Sequence, residues 1–131
     1  MSRDRLFLDA NILFSAAYRA ASGLMVLWGL RHVEILSSHY AAQEASRNLY
    51  DGEQRARLVR LLESVEMADG MASLPKGIEL PEKDRPILQA AIYAGASHLL
   101  TGDLQHFGPY FGRRFEGVLV TLPAEYLRRR S

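Results

Sequence analysis

The feature that most limits how this chain can fold is its alternation of short apolar runs with longer helix-forming stretches. Residues 6–8, 33–36, 65–68, 98–101 and 118–122 read as five strands. Residues 6–8 (Leu-Phe-Leu) are continuously apolar rather than alternately apolar and polar. That is the mark of a strand covered on both faces. Strands of this kind separated by helices imply a parallel sheet between two helical layers. The expected class is therefore α/β, a three-layer α/β/α arrangement around a mainly parallel sheet. No internal repeat or linker interrupts it, so one domain is expected over residues 1–131.

The punctuation between strands fits this plan. Asp9-Ala-Asn11 reads as a turn. Ser22-Gly23 opens a helix through Leu24, Val26, Leu27, Trp28 and Leu30, and Ser37 or Ser38 can cap the next, which carries Tyr40, Ala41, Glu44, Ala45 and Leu49. Asp51-Gly52 breaks it, and residues 53–64 are amphipathic, with Leu58, Val59, Leu61 and Leu62 on one face. Residues 70–81, rich in Gly and Pro, read as a loop. A helix over about residues 83–94 has Pro86 in its first turn and Gly95 at its end. Residues 105–114 read as a loop, and Pro123 starts a last helix that ends in Arg128, Arg129 and Arg130.

Composition removes several function classes. The absence of cysteine excludes disulfides and thiolate metal sites. No apolar run approaches the roughly 18 residues of a membrane span. The start, Met-Ser-Arg-Asp-Arg, has no apolar stretch behind it, so no signal peptide is expected and the expected location is the cytoplasm. A net charge of +1 announces no nucleic-acid partner, and the arginine groups at Arg47, Arg55, Arg57 and Arg60 and at residues 128–130 are each read first as solvated surface.

Four acids stand out: Asp9, Glu44, Asp84 and Asp103. Each has an ordinary structural use when taken singly, as a turn residue, a solvated helix residue, a helix N-terminal acid and a turn residue after Gly102. As a set they say more. Asp9 follows the first strand and Asp103 the fourth, and the crevice of an open parallel sheet lies beyond the carboxyl ends of its strands. Glu44 lies in the first turns of the helix after the second strand. Asp84 depends on the long loop before it to reach the same place. Like charges brought that close need a counter-charge. A pocket lined by oxygen alone favours Mg²⁺ or Mn²⁺ over Zn²⁺. Ions of this kind generate hydroxide and stabilise phosphoryl transition states.

The same stretches resemble the motifs of the PIN-domain nucleases, a family that includes the toxins of VapBC-type toxin–antitoxin pairs. "LFLDANILFSA" resembles the first motif, with Asp9 and Asn11; "SSHYAAQEASRNL" the second, with Glu44; "EKDRPILQAAIYAGASHLLTGDLQHF" the third and fourth together, with Asp84 and Asp103; and "VLVTLPAEYL" the closing strand and helix. The third and fourth block is the most specific. The resemblance spans nearly the whole chain. It implies a divalent-metal-dependent endoribonuclease acting on single-stranded RNA. The four acids would serve as catalytic metal ligands for Mg²⁺ or Mn²⁺, with Asn11 and Thr101 supporting them. It further implies a homodimer and a small antitoxin partner. Arg47, Arg85 and His106 are candidate RNA contacts. Many members carry another acid shortly after the position of Asp103, where this chain has Gln105, His106 and Phe107. The number of ions is left open by that departure. Two alternatives stand beside the toxin: a housekeeping RNA-processing nuclease without an antitoxin, and a catalytically weak module that binds RNA or protein.

Overall fold

The first strand sets the frame. In the computed structural model, which describes residues 3–130, β1 (Asp4–Leu8) has Leu6, Phe7 and Leu8 wholly buried. Three consecutive buried side chains mean that both faces of the strand are covered. β1 pairs in parallel with β2 (Val33–Ser37) on one side and β4 (His98–Leu100) on the other. β3 (Glu66–Met67) extends the sheet beyond β2, and β6 (Val118–Thr121) extends it in parallel beyond β4. β5 (Arg114–Phe115) closes the far edge, antiparallel to β6. The resulting order is β3-β2-β1-β4-β6-β5. The chain winds outward one way from β1 through β2 to β3 and the other way through β4 and β6. The boundary between β1 and β4 is thus the switch point, where open α/β sheets form their crevice.

The helices are α1 (Ala10–Tyr18), α2 (His39–Arg47), α3 (Gly52–Leu62), α4 (Arg85–Tyr93), α5 (Leu104–Phe107) and α6 (Pro123–Arg130). The three-layer α/β reading of the sequence holds, with three corrections. First, Asp9-Ala-Asn11 is no turn: it is the start of α1, whose N-cap is Asp9 and whose buried face is Ile12, Leu13, Ala16 and Ala17. Aspartate suits a turn and an N-cap equally, and the four-residue spacing behind it decides between them. Second, residues 23–29 form a 3₁₀ segment rather than an α-helix, capped by Ser22. Third, residues 105–114 are not one loop. They hold most of α5, a 3₁₀ turn at Gly108–Tyr110 and the start of a hairpin between β5 and β6. That hairpin turns on Glu116 and Gly117, both at positive φ (49° and 86°). Two positive φ angles make the tight turn that matches strand twist, and a glutamate at the first is not its usual signal.

Packing also redistributes the apolar faces. Leu58 and Leu61 of α3 belong to the core, and α1 packs against both α2 and α3. Trp28 is half-buried and its Nε1 donates to the Leu61 carbonyl at 3.0 Å. Arg55 and Arg57 donate to the Leu49 and Ala17 carbonyls. No single helix among the described residues is long and apolar enough to cross a membrane.

Ser38 is the N-cap of α2, its hydroxyl accepting from the Ala41 N–H at 3.1 Å in a site only 2% exposed. Ser38→Ala should cost about 1 kcal/mol, measured by denaturant unfolding. A change near zero would mean that α2 is not held by this cap.

Candidate metal centre

Local structure delivers each acid to the switch point. β1 ends at Leu8, so Asp9 emerges at its carboxyl end. Its Oδ1 caps α1 by accepting from the Ala10 N–H at 2.6 Å. Its Oδ2 accepts from the Thr101 hydroxyl at 2.8 Å and from Asn11 Nδ2 at 3.1 Å. Thr101 is wholly buried just past β4, and its Oγ1 also accepts from the Asp103 N–H at 3.1 Å. Asn11 Oδ1 in turn accepts from the Gly102 N–H at 2.8 Å. A Cβ on Gly102 would stand 3.3 Å from that oxygen, so glycine keeps the approach open. Asn11 and Thr101 thus tie the ends of β1 and β4 together and hold the Asp9 carboxylate fixed.

Asp103 has two uses. It is the N-cap of α5, its Oδ1 accepting from the His106 N–H at 3.0 Å. Its Oδ2 lies 2.9 Å from His106 Nδ1. The turn function and the site function coincide in one residue. Asp84 sits at the N-cap position of α4 but makes no side-chain cap bond. It is 8% exposed, and its Oδ2 is buried without a hydrogen bond although His106 Nδ1 lies 2.9 Å away. The contact satisfies the distance for an ion pair and misses the alignment of a hydrogen bond. Glu44 projects from α2 into the same cavity, half-exposed, with its Oε1 paired to Arg47.

The four acids line one open cavity of about 640 Å³, together with Asn11, Phe14, Tyr40, Asn48 and Lys83. The sequence reading missed Tyr40 and Asn48, although Tyr40, Glu44 and Asn48 recur every fourth residue and so share a helix face. Arg47 and Arg85 stand outside the cavity lining. Arg47 pairs with Glu44, and the exposed Arg85 donates from Nε to the Leu80 carbonyl at 3.1 Å.

The electrostatics record the crowding. The Asp9 carboxyl is pushed up to about 6, first by burial and then by the charges of Asp84 and Asp103, against the hydrogen bonds from Thr101 and Ala10. Asp84 is also raised, by burial first and by Asp103 next. Burial, with Glu44 and Asp84, raises the Tyr40 hydroxyl. A negative, partly desolvated cavity with one orphaned carboxylate oxygen suits a cation. Among the described residues, Asp84, Asp103 and His106 offer ligand atoms within 4.8 Å of one another. The sequence reading had an oxygen-only pocket; the structure adds a ring nitrogen beside two of its carboxylates, because α5 places His106 three residues after its N-cap.

Fold and site together define a class: an open, mainly parallel α/β protein with a carboxylate cavity at its switch point. No family model matches the chain, and no curated protein does. Among solved structures, a chain in the crystal structure of VapBC2 from Rickettsia felis bound to a DNA fragment from their promoter has a TM-score of 0.63. It is 17% identical, and the match covers 90% of this chain and 98% of that one. At that identity the likeness is one of fold.

Proposed function

We propose that this chain is a PIN-like, divalent-metal-dependent endoribonuclease that hydrolyses phosphodiester bonds in single-stranded RNA, acting as the toxin of a type II toxin–antitoxin pair. The observation that carries the reading is the convergence of Asp9, Asp84 and Asp103 at the switch point with Glu44 at the rim, in a cavity that raises the carboxyls of Asp9 and Asp84. The fold likeness to a chain of the VapBC2 structure supports the toxin assignment and an antitoxin partner.

In this reading Asp9, Glu44, Asp84 and Asp103 would hold Mg²⁺ or Mn²⁺, the Asp9 carboxylate being fixed by Asn11 and Thr101. When bound, the ion supplies a hydroxide at neutral pH and offsets charge on the phosphoryl group. The residues supply position. Asp9 is prevented from turning away by Ala10, Asn11 and Thr101, which keeps a negative oxygen aimed at the cavity. Tyr40, whose hydroxyl donates to the Lys83 carbonyl at 2.5 Å, braces α2 against the segment that carries Asp84. Lys83 provides a cation on the wall for the RNA backbone.

Purified protein should cut single-stranded RNA with Mg²⁺ or Mn²⁺ and stop in EDTA. Equal cleavage by wild type and Asp103→Asn would sink the nuclease reading, since contaminating ribonucleases need neither metal nor Asp103. Expression of the wild type alone should arrest growth while Asp103→Asn does not. Harmless expression of active enzyme would instead favour the housekeeping nuclease. The proposal includes a homodimer, which light scattering at high micromolar concentration tests.

A further inference from the structure

His106 stands beside Asp84 and Asp103 in a place that the four-acid reading leaves unexplained. Its Nδ1 stands 2.9 Å from Asp103 Oδ2 and 2.9 Å from Asp84 Oδ2. A ring nitrogen carries at most one hydrogen and can serve one acceptor along its bond. The hydrogen bond runs to Asp103, and Asp84 Oδ2 is left buried with an ion-pair contact but no hydrogen bond. Buried carboxylate oxygens without partners are costly. One proton cannot satisfy this trio, whereas an ion with several coordination positions can.

The spacing fits that occupant. Two donors held at right angles on an octahedral ion at about 2.1 Å stand about 3 Å apart. Both contacts made by Nδ1 are close to that separation. The backbone fixes the arrangement: Asp103 caps α5 through the His106 N–H, so the ring is folded back over the carboxylate by the cap itself.

We propose that His106 is a metal ligand through Nδ1, making this a mixed nitrogen–oxygen centre with Asp84 and Asp103 that selects Mn²⁺ over Mg²⁺. The proposal rests on the nuclease reading for its biological use, but the site stands on its own geometry. Mg²⁺ is hard and gives up its waters reluctantly, whereas imidazole suits later and softer divalent ions. Replacing one carboxylate by an imidazole also lowers the negative charge of the site, which weakens the hold on Mg²⁺ further.

The test measures binding rather than turnover. Mn²⁺ is titrated into wild type, His106→Gln and His106→Asp by calorimetry, with Mg²⁺ as competitor. The Mn²⁺-loaded proteins are then read by electron spin echo envelope modulation, which detects a ligating nitrogen. Wild type should show nitrogen modulation, and His106→Asp should bind Mn²⁺ without it. The Mn²⁺ preference over Mg²⁺ should fall by about tenfold or more in His106→Asp. Circular dichroism melts confirm that each variant is folded, and His106→Asp keeps a charged ligand if the glutamine variant loses the ion. Mn²⁺ bound to wild type without nitrogen modulation overturns the proposal. So does modulation that persists in His106→Asp, an unchanged preference, or no Mn²⁺ binding at all. Nitrogen-ligated Mn²⁺ in a protein that cuts no RNA would leave the site standing and remove the nuclease. Metal-dependent RNA cleavage without nitrogen ligation would do the reverse.

Discussion

Asp9→Asn should abolish cleavage and yet make the metal-free protein more stable. Asp9 is 4% exposed, and burial and the charges of Asp84 and Asp103 raise its carboxyl to about 6 from a reference value of 3.8. The folded chain therefore binds this proton more tightly than the unfolded chain does. Stability from the group is full below about pH 4 and is lost as pH rises toward 6. By pH 7.5 the metal-free wild type carries a penalty on the order of 3 kcal/mol. Asparagine keeps the shape and still accepts from the Ala10 N–H. Its amide meets Asn11 Nδ2, a donor, and so forfeits a hydrogen bond at about 1 kcal/mol. The net gain should be about 1–2 kcal/mol, on the order of 5 °C in melting temperature. The gap should close when both proteins are melted near pH 4. Activity should fall roughly 10³-fold or more, the scale seen when a fixed electrostatic group is removed from a reaction site. A mutant that melts lower than wild type at pH 7.5, with a gap indifferent to pH, would contradict the crowded-charge account.

The second large effect is stabilisation by the ion. Anything that binds the folded state alone stabilises it by about 2.7 kcal/mol at a hundredfold excess over its dissociation constant. For a chain of this size that is on the order of 10 °C. Mn²⁺ should raise the wild-type melting temperature by that amount and EDTA should reverse it. Asp84→Asn should show less than half the shift, because the orphaned oxygen that a cation would satisfy is gone. Equal shifts in both proteins would place the bound ion elsewhere. No shift in either would remove the metal centre altogether.

These effects depend on features that differ in how openly the sequence displays them. The sheet was legible because parallel strands buried on both faces are continuously apolar, as Leu6, Phe7 and Leu8 are. Asp9 and Asp103 were legible because each follows such a run at once. α1 was hidden by the double meaning of Asp-Ala-Asn, a turn signal and a cap signal alike. The hairpin at Glu116-Gly117 was hidden because a non-glycine residue takes the first positive φ there. His106 was visible as a departure from the resembled motif. Its place between two carboxylates was not, because it depends on a single turn of helix too short to give a periodic pattern. The apolar stripe on α3 shows the opposite difficulty. The sequence shows Leu58, Val59, Leu61 and Leu62 as one apolar face without saying what covers it; Leu58 and Leu61 enter the core, whereas Val59 is exposed.

End-group analysis of the RNA products tests the central claim most directly. The claim is that these carboxylates hold a cation that drives hydrolysis by water. Attack by water leaves a linear phosphate, whereas attack by the neighbouring 2′-hydroxyl leaves a 2′,3′-cyclic phosphate. A defined single-stranded RNA incubated with wild type and Mn²⁺ should yield linear phosphate ends alone, and no product should form with EDTA or with Asp9→Asn. Cyclic phosphate ends that persist in EDTA, or that Asp9→Asn produces equally, would contradict it.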